Sequence, residues 1–269
     1  MPHGMRGGFA THWEVMGQGP RAALAIHCSL AHSGAWAGVA RALGDLMTVT
    51  AFDLPGHGAS APWEGAGEIQ AVSTAIAADL LDGPADIIGH SFGATVALRL
   101  SIEHPHLVRT LSLYEPVFFA VGFADRPDLR GPHAALMAEY ATGIAAGEME
   151  RAARGFLRVW GEGAGWDALP EKARASIAAQ MPLIEAAAPA LFDDAGGMLG
   201  SGALTRIAAP ALLMEGARSP AIIGAINAGL AARLPETHRA VIAGAAHMGP
   251  ITRPAAVAAE IARFLAARS

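Results

Sequence analysis

The chain has 269 residues, of which 52% are apolar and only 16% charged, and its formal net charge is −5. An apolar fraction of that size excludes bulk disorder. One Lys (Lys172) and 18 Arg set against 24 carboxylates leave no basic footprint for nucleic acid.

Cys28 is the single cysteine, so no internal disulfide can form. The opening stretch MPHGMRGGF lacks the apolar core of a secretory signal. No apolar run looks long enough to cross a bilayer, which needs about 18 residues or more. The expectation is a cytoplasmic protein with no membrane partner; the sequence leaves its oligomeric state open.

In chain order, Phe9–Met16 alternates apolar and polar residues and reads as an antiparallel edge strand. Strand patterns follow at 22–27, 47–52, 85–88, 108–114, 211–214 and 238–242. Most are too continuously apolar to have a solvated face, as in strands covered on both sides. Between them lie helical patterns at 35–42, 69–81, 94–104, 221–234 and 255–267, with Pro105 as a stop and Pro254 as a start. Strand alternating with helix predicts an α/β fold with a mostly parallel, doubly wound sheet. Residues 117–206 break the alternation with helical patterns alone, such as 134–146 and 148–160, too long for a plain crossover. We therefore expect core segments at 1–116 and 207–269 with an inserted helical cap at 117–206.

Gly89-His90-Ser91-Phe92-Gly93 is the only G-x-S-x-G in the chain. It follows the apolar strand ADII and opens the helical pattern GATVALRLSIEH, the setting that a nucleophile elbow requires. A sharp turn there holds Ser91 in a strained conformation and aims the Phe92 N–H at a developing oxyanion. A structural Ser at a Gly-bracketed strand end is the competing reading. Two further motifs follow strands: His27-Cys28-Ser29-Leu30, with Trp36 beyond it, and Asp53-Leu54-Pro55-Gly56-His57-Gly58-Ala59-Ser60.

Together these motifs resemble the α/β-hydrolase superfamily. The likeness runs from Ala10 to the C-terminus except over the cap. The Cys28-Ser29-Leu30 turn is closer to the enol-lactone hydrolase variant of the family's oxyanion turn. The resemblance implies the α/β-hydrolase fold, a serine hydrolase needing neither cofactor nor metal, and the Ser29 N–H as second oxyanion donor. Asp53 and His57 read as a turn-fixing hydrogen-bond pair rather than as chemistry.

A serine hydroxyl needs a base, and His suits that role near neutral pH. Among 11 histidines, His247 follows the last strand on the loop GAAHMGP, where the family's base lies. The family's usual acid position, after the penultimate strand, is occupied by Ser219, which cannot carry the charge. Glu115, at the end of the strand next to the nucleophile strand, is the leading candidate acid. It sits as the acid does in a branch of the haloalkane dehalogenases, while Glu215 and the cap residues Asp193 and Asp194 remain alternatives.

Ser at position 91 indicates acyl transfer, so the expected substrate is a small or medium, mainly apolar ester. A lactonase, an enol-lactone hydrolase or a C–C bond hydrolase uses the same set. A ligand-binding protein on a hydrolase scaffold is the reading from another class. The substrate pocket is expected from Leu30, Trp36, Phe118, Phe119, Trp160 and Met248, with Phe156, Trp166 and Met181 as further cap candidates. Arg126, Arg130, Arg154 and Arg158 read as solvated surface charges rather than carboxylate ligands.

Overall fold

The structure is a computed structural model that describes residues 2–162 and 165–268. Its eight strands, among the described residues, form one sheet. They are β1 (His3–Arg6), β2 (Phe9–Met16), β3 (Arg21–Ile26), β4 (Met47–Phe52), β5 (Ala85–His90), β6 (Val108–Tyr114), β7 (Ala211–Gly216) and β8 (Thr237–Ile242). The order is β1-β2-β4-β3-β5-β6-β7-β8, with β1–β2 and β2–β4 antiparallel and every other pair parallel. β2 is therefore not the edge strand expected from its alternation. The short polar segment His3–Arg6 folds back on it through Gly7 and Gly8, both at positive φ, and takes the edge.

Strand residues alternate between two apolar layers. Leu24, Ile26, Ile87, Leu111 and Leu213 face one layer, made with α2 (Ile69–Asp79), α3 (Phe92–Glu103) and α10 (Ala221–Ala231). Ala23, Ala25, Ile88, Leu212 and Met214 face the other, made with α1 (Ala37–Ala42) and α12 (Pro254–Ala266). Pro254 opens α12, where a missing N–H costs nothing, and the Glu68 carboxylate caps α2 by accepting from the amides of Gln70 and Ala71.

Between β6 and β7 the described chain is helical: α4 (Phe119–Asp125), α5 (Arg130–Leu136), α6 (Ala138–Ala146), α7 (Met149–Trp160), α8 (Glu171–Ala179) and α9 (Met181–Phe192). The pattern at 134–146 resolves into two helices that break at Met137. α6 and α7 approach closely because Gly143 and Gly155 lack side chains; a Cβ on either would lie 2.4 Å from backbone nitrogen of the facing helix. Ala152, Ala153, Ala178 and Met181 form a small core within these helices, against which Leu30 packs.

The expectation that no segment is long and apolar enough to cross a membrane does not hold. Across α8 and α9, Glu171–Phe192 is 22 residues with mean hydropathy 1.3, which meets that measure by length and composition. Here it is two helices, with Ala178, Met181, Ala187 and Leu191 buried among neighbouring side chains.

Candidate active site

β5 ends at His90 and α3 begins at Phe92, so one residue makes the whole turn. That residue, Ser91, has φ 55° and ψ −119°, a conformation that L-residues adopt only under constraint. Its neighbours explain how the turn closes. A Cβ on Gly89 would lie 2.5 Å from the Ala94 Cα, and one on Gly93 2.3 Å from the Ile26 carbonyl oxygen on β3.

Ser91 Oγ lies 3.0 Å from His247 Nε2, and His247 Nδ1 lies 2.8 Å from Glu115 Oε2. All three side chains are buried, Glu115 completely. The structure thus brings together the three residues expected from the sequence. Glu115 also stands at positive φ (47°), one residue beyond β6, which turns its side chain along the carboxyl edge of the sheet. Its Oε1 accepts from the Gly216 N–H at 2.7 Å and from the Ser219 hydroxyl. Ser219, at the family's usual acid position, is therefore a donor to the Glu115 carboxylate. Two of the alternatives, Glu215 and Asp194, are committed elsewhere. Glu215 accepts from Asn227 and pairs with Arg239, and Asp194 caps the amides of Leu199 and Gly200.

Two residues to which sequence reasoning gave no role hold the His247 segment. His90 Nε2 donates to the His247 carbonyl at 2.8 Å, and Tyr114 Oη donates to the Ala246 carbonyl at 2.7 Å. Burial pushes the His90 imidazole well below its usual pKa, leaving it a neutral donor. His90 sits at the variable position of the elbow, and only its neighbours in space reveal this contact.

The Ser29 and Phe92 amides donate to no acceptor among the described residues. Beside them, Asp53 does not bond His57 as the sequence suggested. It accepts from the Ser33 and Ala59 amides, while His57 Nδ1 donates to the Pro55 carbonyl. Both still serve the turn, through backbone rather than through each other. Burial pushes the Cys28 thiol up to about 12, so it stays protonated beside Ser91.

Two cavities share Ser29, Ser91, Phe156, Trp160 and His247 in their linings. The first, about 620 Å³, runs past Leu30, Met248, Trp166 and the charged residues Glu139, Arg154, Arg158 and Glu162. The second, about 420 Å³, is bordered chiefly by apolar side chains, among them Phe119, Phe123, Leu191 and Phe192. Leu30, Phe119, Trp160 and Met248 line these cavities as expected. Trp36, Phe118 and Met181 do not. Trp36 is buried in the layer under α1 with its ring edge towards His90, Phe118 is wholly within the main core, and Met181 belongs to the core of the inserted helices. Arg126 pairs with Asp128 at the surface, whereas Arg154 and Arg158 share Glu139 at the rim of the first cavity. Among the described residues no cluster of His, Cys, Asp and Glu could hold a metal ion.

A family model for the alpha/beta hydrolase family matches residues 23–260. The chain belongs to that family. Among curated proteins it is similar to a pimeloyl-[acyl-carrier protein] methyl ester esterase of Methylococcus capsulatus, 35% identical over 155 residues, covering 55% of this chain and 56% of the relative. It is also similar to the lipase LipV of Mycobacterium tuberculosis, 40% identical over 101 residues, covering 36% of this chain and 38% of the relative. The matched stretches span only about half or less of these relatives. Among solved structures, an alpha/beta hydrolase from Sphaerobacter thermophilus superposes with TM-score 0.72 over 98% of this chain and 100% of the other, at 21% identity. A haloalkane dehalogenase loop variant from Bradyrhizobium elkanii gives TM-score 0.76 over 99% and 96%, at 18% identity. These two likenesses concern the fold.

Proposed function

We propose that this protein is a serine carboxylester hydrolase acting through Ser91, His247 and Glu115. The observation that carries the reading is the unbroken relay from Ser91 Oγ to His247 to Glu115, at 3.0 and 2.8 Å, with Ser91 and His247 in the lining of both cavities. His247 Nε2 takes the Ser91 proton as Oγ attacks the ester carbonyl carbon, and Glu115 holds the imidazole in the tautomer that can accept it. The Ser29 and Phe92 amides face the oxyanion; each such donor is worth about 3 kcal/mol of transition-state stabilisation. His247 then protonates the leaving alkoxide. In the second half-reaction it activates water against the acyl-enzyme, which returns Ser91 and releases the acid. Helices 117–206 act as a cap that shapes the substrate, the apolar second cavity taking the acyl chain and the more polar first cavity the alcohol.

The relatives' names, an esterase of an acyl-carrier methyl ester and a lipase, make methyl esters of medium acyl chains the first substrates to assay. The test is a turnover panel of methyl esters, aryl esters and lactones, with Ser91→Ala as blank, alongside labelling by a fluorophosphonate. Labelling and ester turnover, both abolished in Ser91→Ala, are expected. No label and no turnover of any member would overturn the reading, and lactones turned over faster than every ester would replace esterase with lactonase.

A further inference from the structure

The apolar cavity contains a buried imidazole that ester hydrolysis does not use. His133, on α5, is only 7% exposed, and its ring stands among those of Phe119, Phe123, Trp160 and Phe192 at centroid distances of 4.8, 5.6, 6.1 and 6.1 Å. Burial in this surround holds the imidazole below its usual pKa, so the ring is neutral near pH 7. A neutral imidazole carries one N–H and one acceptor nitrogen.

Nδ1 is fully enclosed and has no hydrogen-bond partner among the described residues. A stranded acceptor is tolerated more readily than a stranded N–H, so the proton belongs on Nε2, the nitrogen that is not enclosed. Packing alone accounts poorly for His here. Phe or Leu would fill the same apolar surround without leaving a polar atom unmet.

The position gives that donor a use. His133 lines the same cavity as Ser91 and His247, and Trp160 packs against both imidazoles, 4.8 Å from His247 and 6.1 Å from His133. A group held by His133 therefore lies in the cavity assigned to the acyl chain, past the Trp160 side chain that borders both histidines. The partner must be an acceptor. A neutral donor suits a carbonyl oxygen better than a carboxylate, which Glu185 on the same wall would repel. Arg130, the cation on that wall among the described residues, sits over the Phe123 ring at 4.7 Å.

We infer that His133 is a specificity-determining residue whose Nε2–H binds a second carbonyl oxygen within the acyl chain, so that the preferred substrates are esters of oxo-acids. This deepens the esterase reading and rests on it for the orientation of the acyl chain. The test uses methyl esters of one medium-chain acid and of its isomers carrying a single ketone at each successive carbon. Binding to Ser91→Ala is followed by tryptophan fluorescence, since Trp160 borders the site, and turnover by wild type is followed by acid release.

One oxo isomer is expected to bind about tenfold tighter than the parent ester, the worth of one well-placed hydrogen bond, with the gain appearing in KM rather than kcat. His133→Phe in the Ser91→Ala background abolishes the preference, and His133→Gln, which keeps a donor, retains most of it. A flat series, or a preference that persists in His133→Phe, overturns the inference. If wild type cleaves no ester but Ser91→Ala still shows a His133-dependent preference, the hydrolytic reading fails and this site stands.

Discussion

Three donors converge on the Glu115 carboxylate: the His247 imidazole, the Gly216 amide and the Ser219 hydroxyl. Oε1 is occupied by the second and third, which leaves Oε2 aimed at His247 Nδ1. On this geometry Glu115→Gln keeps the shape but offers an amide where a charge must face the imidazolium. A fall in kcat of about 10²–10⁴ with little change in KM is expected, read in steady-state ester hydrolysis. Unchanged kcat would remove Glu115 from the mechanism. Ser219→Ala removes one donor of three, and a loss of roughly fivefold in kcat is expected from one hydrogen bond. Residue by residue, Ser91 and His247 were legible because each is marked by its local sequence, a Gly-bracketed turn and a Gly/Ala-rich loop after a strand. Glu115 was legible through its strand end beside the nucleophile strand, taken together with the resemblance. His133 was not, since a lone His in an Ala-rich helix carries no local sign of the aromatic side chains that surround it from four other points of the chain.

The elements that carry these residues were mostly visible in the sequence, and the exceptions share a cause. Strands buried on both faces announce themselves by continuous apolar runs, as at 22–27, 85–88 and 211–214. β1 was missed because HGMR has no apolar run; its place is decided by the double-glycine turn and by pairing with β2. Trp36 and Phe118 were assigned to the substrate because large apolar side chains look alike in sequence, whichever side of an element they occupy. At this scale the decisive contact is between α3 and β3. Ile26 and His27 backbone carbonyls stand 2.3 and 2.5 Å from where a Gly93 side chain would begin. Backbone cannot move aside as a flexible side chain can, so Gly93→Ala is expected to cost about 1–3 kcal/mol and to displace the Phe92 amide. A thermal melt should show a Tm lower by several degrees, together with loss of ester turnover. An unchanged Tm would mean that α3 and β3 are less tightly apposed than described.

Across the whole molecule, burial keeps several histidines neutral. His27 is pushed down to about 3 by burial and by the neighbouring His57, while its Nε2 accepts from the Leu54 amide and its Nδ1 donates to the Cys28 carbonyl. His57, His90 and His133 are lowered too, each chiefly by burial. In the unfolded chain these rings take up protons near 6.5, so below that pH the unfolded state binds more protons than the folded one. Stability is therefore present above 6.5 and is lost as pH falls from there towards 3. Tm is expected to drop steadily between about pH 7 and pH 4, and a flat profile would show that these rings are solvated. The sheet register adds a different consequence. Residues 117–206 leave from the end of β6 and return at β7, strands paired from Leu111↔Ala211 to Tyr114↔Met214. Because the two strands run parallel, the chain leaves at one edge of the sheet, beyond Tyr114, and re-enters at the opposite edge, at Ala211; the sheet itself fixes both ends, three residues or about 10 Å apart along the strand direction. Closing the excursion asks little more of a long insert than of a short one, since doubling its length costs only about 0.6 kcal/mol in closure entropy. Its length and sequence can therefore drift widely while the two anchoring strands, and the carboxylate at their junction, stay where they are.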